Sequence, residues 1–213
     1  MAAVNIESIN GLEGEKPAFF FIPDISGFTK FIHDTNLKDS KNLIHELLEV
    51  ILDSNILNLK VAEIMGDAIV FYSIGTPPSI TKLESQTKKT FIDFQRALTK
   101  LEEHHSLSKE LHNLTLKIVV HYGEVATTEI KGITKLIGSD LILAYRMLKN
   151  NIKDHEYLLM TEQYLATQNK ETVEKSFSWS KLKENKIKYD FFGIIPYKYV
   201  PLTNLREDIR NIV

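Results

Sequence analysis

Apolar positions along this chain switch between strand-like and helix-like spacing. The continuous run from Phe19 to Ile22 reads as a buried strand that ends at about Asp24, and a helix follows from about Phe28 to Asp34. Asp39 or Ser40 is placed to cap a second helix with Leu43, Leu47, Val50 and Ile51 on its apolar face. From about Asn58 to Ile74, two strand-like segments flank Met65-Gly66-Asp67, which predicts a β-hairpin. Gly75-Thr76-Pro77-Pro78 breaks the chain. Ser79 to about His105 then reads as a long amphipathic helix, with Phe91, Phe94, Leu98 and Leu101 at helical spacing. Leu114 to Ala126 predicts a strand that Thr127 to Leu136 continues into a hairpin, with Gly132 near the turn. A helix from Ser139 to Asn150, a short strand from Tyr157 to Met160 and a helix capped by Thr161 follow. Beyond Trp179, Lys186 to Tyr189 and Tyr197 to Val200 pair as a last hairpin.

This order of elements predicts an α+β fold of the ferredoxin-like class, an antiparallel sheet with helices on one face. Residues 1–16 read as a flexible leader and 17–213 as a single domain, without internal repeats or low-complexity segments. The chain has 213 residues, 43% of them hydrophobic and 25% charged, enough for one large core. A net charge of −2 without a long basic run argues against nucleic acid or an anionic membrane as partner. Cysteine is absent, so disulfides and thiolate metal sites are excluded, which fits a reducing, cytoplasmic setting. No signal-peptide pattern and no apolar stretch near the ~20 residues of a membrane span is present.

The chemistry concentrates at two turns. Asp24 ends the first strand, and the small residues Ser26-Gly27 lead into the helix. A carboxylate at a strand tip is costly to bury and suited to a divalent cation, while helix-start amides suit phosphate oxygens. Taken alone, Asp24 also reads as a helix N-cap, and Asp67 as a plain turn residue. If the hairpin lies beside the first strand, Asp24 and Asp67 converge into a metal site of the kind that serves nucleotides. His104 and His105 read as the solvated end of the long helix, His121 as a hydrogen-bonded interior histidine, and Phe19, Phe20 and Phe21 as core or interface.

Four blocks, in order and spanning roughly Ala18 to Met160, resemble the catalytic domain of class III adenylate and guanylate cyclases. Phe21 to Thr29 matches the Phe-x-x-Asp-Ile-x-Gly-Phe-Thr motif, and Ile64-Met65-Gly66-Asp67-Ala68 resembles the second metal-aspartate hairpin. Leu116 to Val125 is similar to the strand containing the His-x-Gly-x-Val motif, and Gly138 to Met147 to the helix that follows it. The segment 161–213 is less family-like. The resemblance implies Mg²⁺ or Mn²⁺ on Asp24, the Ile25 carbonyl and Asp67, and triphosphate contacts from Gly27, Phe28 and Thr29. It implies base selection by Glu63, a residue type found at this position in guanylate cyclases, and by Lys135, which departs from the family's Asp or Cys. It implies a catalytic role for Arg146. At Ile142 the family places an asparagine, and Lys186 and Lys188 lie near its late phosphate-binding lysine without the surrounding motif. The expected function is binding of a purine nucleoside triphosphate, with cyclic-nucleotide formation in signalling. A head-to-tail homodimer or a pair with a second cyclase-like chain would complete the site. The alternative is a catalytically inactive nucleotide-binding or protein-interaction module, which Ile142 favours. An unrelated two-metal nucleotidyltransferase fits the later blocks less well.

Overall fold

The computed structural model describes residues 13–104 and 108–210. Its first strand, β1 (Glu13–Ser26), begins well before the apolar run. Phe19, Phe21 and Ile25 enter one core, and Ala18, Phe20 and Ile22 enter another. The run is continuous rather than alternating because both faces of this strand are covered. Around it lie β2 (Lys60–Met65), β3 (Ala68–Ile74), β4 (Thr115–Ile130), β5 (Ile133–Ile137), β6 (Tyr157–Thr161), β7 (Lys183–Tyr189) and β8 (Gly193–Pro201). They form one eight-stranded sheet in the order β2-β3-β1-β4-β6-β8-β7, with β5 paired to β4. Every pairing is antiparallel except β4 with β6. The expected α+β class with a mostly antiparallel sheet is what the molecule adopts.

The helices are α1 (Phe28–Asp34), α2 (Leu37–Asp53), α3 (Ile80–His104), α4 (Ser108–Leu111), α5 (Ser139–Met147), α6 (Glu162–Leu165), α7 (Lys170–Lys175) and α8 (Leu205–Arg210). The expectation of helices on one face is corrected here. Phe31, Leu43, Leu47, Phe91, Phe94 and Leu205 share the core of Phe19 and Phe21, whereas Leu141, Leu143, Ala144 and Met147 of α5 pack on the opposite face with Phe20 and Ile22. That second face is as apolar as the first and must be covered, and the β4–β5 hairpin carries the chain round to cover it. Lys131 and Gly132, at φ 51° and 81°, make its two-residue turn, as the glycine suggested.

Several helix ends differ from the sequence reading. α2 begins at Leu37, so Ser40 lies inside it and donates to the Asn36 carbonyl at 3.0 Å instead of capping. α5 stops at Met147, where the Asn150 amide donates to the Met147 carbonyl at 2.8 Å. Thr161 sits at the N-cap of α6 but makes no side-chain cap bond. α3 ends at His104, and His105 lies outside the described residues.

Candidate functional site

Asp24 stays in β1, opposite Ala68 of β3 and Lys117 of β4. The N-cap of α1 is Gly27, which corrects the alternative reading of Asp24 as the cap. Gly27 has φ 87°, and a Cβ there would lie 2.6 Å from the Asn113 carbonyl oxygen, so the backbone alone requires glycine. The Ile25 amide donates to the Asp67 carbonyl at 3.1 Å, which ties the tip of the β2–β3 hairpin to the end of β1. The two carboxylates therefore converge. Burial first, and then the charge of Asp24, push the Asp67 carboxyl up to about 6, against weaker lowering by a hydrogen bond from its own backbone amide and by Lys117. Lys117 Nζ lies 3.1 Å from Asp24 Oδ2. Ser26 Oγ, on the Asp24 face of β1 by strand alternation, is buried and has no hydrogen-bond partner among the described residues. Among the described residues, no group of three or more His, Asp or Glu side chains is placed to hold a metal.

A cleft of about 570 Å³ opens on the same face of the sheet, between β2, β5 and α5. Glu63, Lys135, Leu141, Ile142 and Tyr145 line it, so the two expected base-selecting residues do meet around one space. Glu63 owes its direction to a bulge. Val61 pairs with Phe71 and Glu63 with Val70, leaving Ala62 as the extra residue. Val70 faces the α5 side of the sheet and Phe71 the other. The inserted residue thus turns Glu63 toward α5, where the Tyr145 hydroxyl donates to its Oε1. Burial, and then the Glu63 carboxylate, push the Tyr145 phenol up.

α5 is fixed to β4 by one buried contact set. His121, fully buried, lies with Nδ1 2.9 Å from Thr161 Oγ1 and Nε2 3.2 Å from Asp140 Oδ1. Asp140 Oδ2 accepts from the Glu124 amide at 2.8 Å, and these partners hold its carboxyl below the usual range. His121 is the interior, hydrogen-bonded histidine expected from sequence. Arg146 is absent from the cleft lining, and its guanidinium lies 5.9 Å from the Phe192 ring centre, beside the β7–β8 turn. Lys186 and Lys188 lie on β7, separated from β1 by β4, β6 and β8. Lys117, Tyr145 and the orphan Ser26 hydroxyl escaped the sequence reading. A lysine in the apolar stretch Leu116 to Val120 was the one visible signal among them.

Residues 44–157 match the family model described as "Protein of unknown function (DUF2652)". The chain belongs to this family. A curated relative, the uncharacterized protein Rv2561/Rv2562 of Mycobacterium tuberculosis, is 35% identical over 120 residues. That match covers 55% of this chain and 56% of the relative, so the chain spans about half the length of the curated protein it matches. Among solved structures, the guanylyl cyclase Cya2 superposes with a TM-score of 0.62 at 16% identity, over 88% of this chain and 92% of that one. A bacterial light-regulated adenylyl cyclase gives 0.62 at 15% identity, over 98% of this chain and 60% of that one. The guanylate cyclase domain of RhGC from Catenaria anguillulae, solved in complex with GTP, gives 0.57 at 15% identity, over 88% of this chain and 97% of that one. These likenesses establish a class III cyclase-like fold for this member of the family.

Proposed function

We propose that this chain is a divergent class III cyclase-like domain that binds a purine nucleoside triphosphate with Mg²⁺ or Mn²⁺ and turns it over slowly, if at all. The observation that carries the reading is the convergence of Asp24 and Asp67, with Asp67 raised to about 6 partly by its neighbour's charge. A hard divalent cation relieves such repulsion and prefers oxygen ligands. Asp24, Asp67 and the Ile25 carbonyl are the residues that would hold it. The buried, unpartnered Ser26 hydroxyl fits a polar occupant beside them. A bound cation would neutralise triphosphate charge and favour ionisation of the ribose 3′-hydroxyl.

The remaining roles fall to the chain itself. Lys117 brings a cation to the phosphate side, and Gly27, Phe28 and Thr29 bring backbone amides. Glu63 and Lys135 offer an acceptor and a donor to a base in the cleft. Ile142 lines the same cleft and offers no donor to a developing charge. Removing one such donor costs ~10²–10³ in rate. Arg146, resting on Phe192, must leave that ring to reach a substrate. Both features also favour a second reading, nucleotide binding without turnover. Assembly as a head-to-tail homodimer, or with a second cyclase-like chain, would bring the metal group of one chain to the cleft of another.

Calorimetry with Mn²⁺ and GTP or ATP tests the core of this reading. Binding by the wild type and its loss in Asp24→Ala is the expected result. Equal affinity in both proteins, or no binding at all, sinks the proposed site. Product separation after incubation then decides between slow turnover and none.

A further inference from the structure

We propose that Tyr145 is a positioning residue that fixes the Glu63 carboxylate in the cleft, so that the site selects a base with adjacent N–H donors, as guanine has. The inference rests on the nucleotide-binding reading above.

An edge-strand glutamate in regular pairing would follow the alternation of its neighbours, and Glu63 would lie opposite Ile69, on the face occupied by α2 and α3. The bulge at Ala62 puts it opposite Val70 instead, on the α5 face. An exposed glutamate still samples many rotamers. The Tyr145 hydroxyl selects among them by donating to Oε1 from across the cleft, from a residue 82 positions away in sequence. Tyr145 is half-buried on α5, itself anchored to β4 through Asp140, so the donor is held by the fold. Burial and the Glu63 carboxylate push its phenol up, which favours the protonated form that donates.

A carboxylate held in this way is an acceptor. Guanine offers N1–H and an exocyclic amine side by side, which match it. Adenine puts the unprotonated N1 at the corresponding place, and two acceptors then oppose each other without a proton between them. Lys135 lines the same cleft and supplies a cationic donor suited to the O6 and N7 acceptors of guanine. A bland alternative is that the Tyr145 bond merely ties α5 to β2. That role predicts equal weakening of all nucleotides, whereas positioning predicts a change in their ratio.

The test is the dissociation constant of GTP and of ATP, each with Mn²⁺, for wild type, Tyr145→Phe, Glu63→Gln and the double variant, with thermal unfolding as a check on folding. Wild type should favour GTP on the order of ten-fold or more. Tyr145→Phe should weaken GTP more than ATP and collapse that ratio. Glu63→Gln should shift preference toward ATP, since a carboxamide presents both a donor and an acceptor to adenine. The double variant should match Glu63→Gln alone, because Tyr145 acts through Glu63. Should Tyr145→Phe leave the ratio unchanged while both nucleotides still bind, the positioning role is overturned and nucleotide binding stands. If the Tyr145→Phe chain does not fold, an unaltered preference in Glu63→Gln overturns the proposal by itself. Absence of any binding by wild type overturns the nucleotide reading, and this inference with it.

Discussion

Asp67 has two reasons to keep its proton, burial and the neighbouring Asp24, and two weaker reasons to lose it, a hydrogen bond from its own backbone amide and the charge of Lys117. Its carboxyl moves from an ordinary 3.8 to about 6 on folding. Between those values the folded chain binds more protons than the unfolded one, so stability falls as pH rises through that window and is flat above it. Asp67→Asn should remove this loss, giving a smaller drop in melting temperature between pH 4 and pH 8 than wild type shows. A divalent ion must displace the same proton. At pH 6 its binding should release about half a proton, and almost none at pH 8, read from calorimetry in buffers of different ionisation enthalpy. Lys117, 3.1 Å from Asp24 Oδ2, would compete with the proposed ion for that carboxylate. Lys117→Met should therefore tighten Mn²⁺ binding in the absence of nucleotide and weaken binding of the triphosphate. Tighter binding of both would remove Lys117 from the phosphate side, and weaker binding of both would remove it as a competitor of the ion. Asp24 and Asp67 were legible in the sequence because each sits at a strand end beside a glycine turn. Lys117 and Ser26 were not, because their meaning depends on which strands lie next to each other.

At the scale of elements, α5 is the piece that places the cleft, and its seat on β4 is narrow. A Cβ at Gly123 would lie 2.2 Å from Asp140 Cγ, so the helix approaches only because that strand position carries no side chain. Gly123→Ala should push Asp140 off both His121 and the Glu124 amide. The expected cost is about 1–3 kcal/mol in urea denaturation, with loss of Asp140's carboxyl shift in side-chain NMR. Unchanged stability would mean that α5 is held elsewhere. The same elements mark where pattern reading stops. The β2–β3 hairpin and the long α3 follow from a Gly-Asp turn and from helical spacing, both local. The bulge at Ala62 inverts the facing of Glu63 without any mark in composition, because register belongs to the pair of strands. The side of the sheet taken by α5 was missed for a similar reason, since an apolar stripe states that a helix is covered and not by which face. Thr161 shows a local rule overridden, its hydroxyl meeting buried His121 instead of capping α6.

The two ends of the whole sheet differ in a way that bears on assembly. The edge at β7 carries Lys183, Lys186 and Lys188, which discourage strand pairing, whereas the edge at β2 exposes Val61 at 44% and Ile64 at 50%. Ile133, Ile137 and Ile142 are also exposed, and with Val61 they ring the cleft with apolar side chains, whereas Ile64 pairs with Ile69 and belongs to the other face. A second chain placed head-to-tail on this ring would cover it and set its own Asp24 and Asp67 opposite Ile142. Light scattering over a concentration series should then find a dimer, and Ile133→Glu should shift it to monomer. On the proposed reading the same geometry would limit catalysis, since Asp24 and Asp67 would hold the metal and triphosphate but would supply no donor from the facing wall. Arg146, one turn beyond Ile142 on α5, is the residue able to compensate in part. Cyclic GMP and cyclic AMP formation by wild type in saturating Mn²⁺ should therefore be weak or absent, and Ile142→Asn should raise it by up to ~10²-fold if the remaining groups are sound. Mixing Asp24→Ala with Arg146→Ala chains in the Ile142→Asn background should recover activity that neither has alone, because one of the two sites in the mixed dimer is then intact. High wild-type turnover that Ile142→Asn leaves untouched would remove Ile142 from the reacting centre. Silence in every variant, with nucleotide still bound, would leave a chain that keeps the cyclase-like fold and uses it to bind.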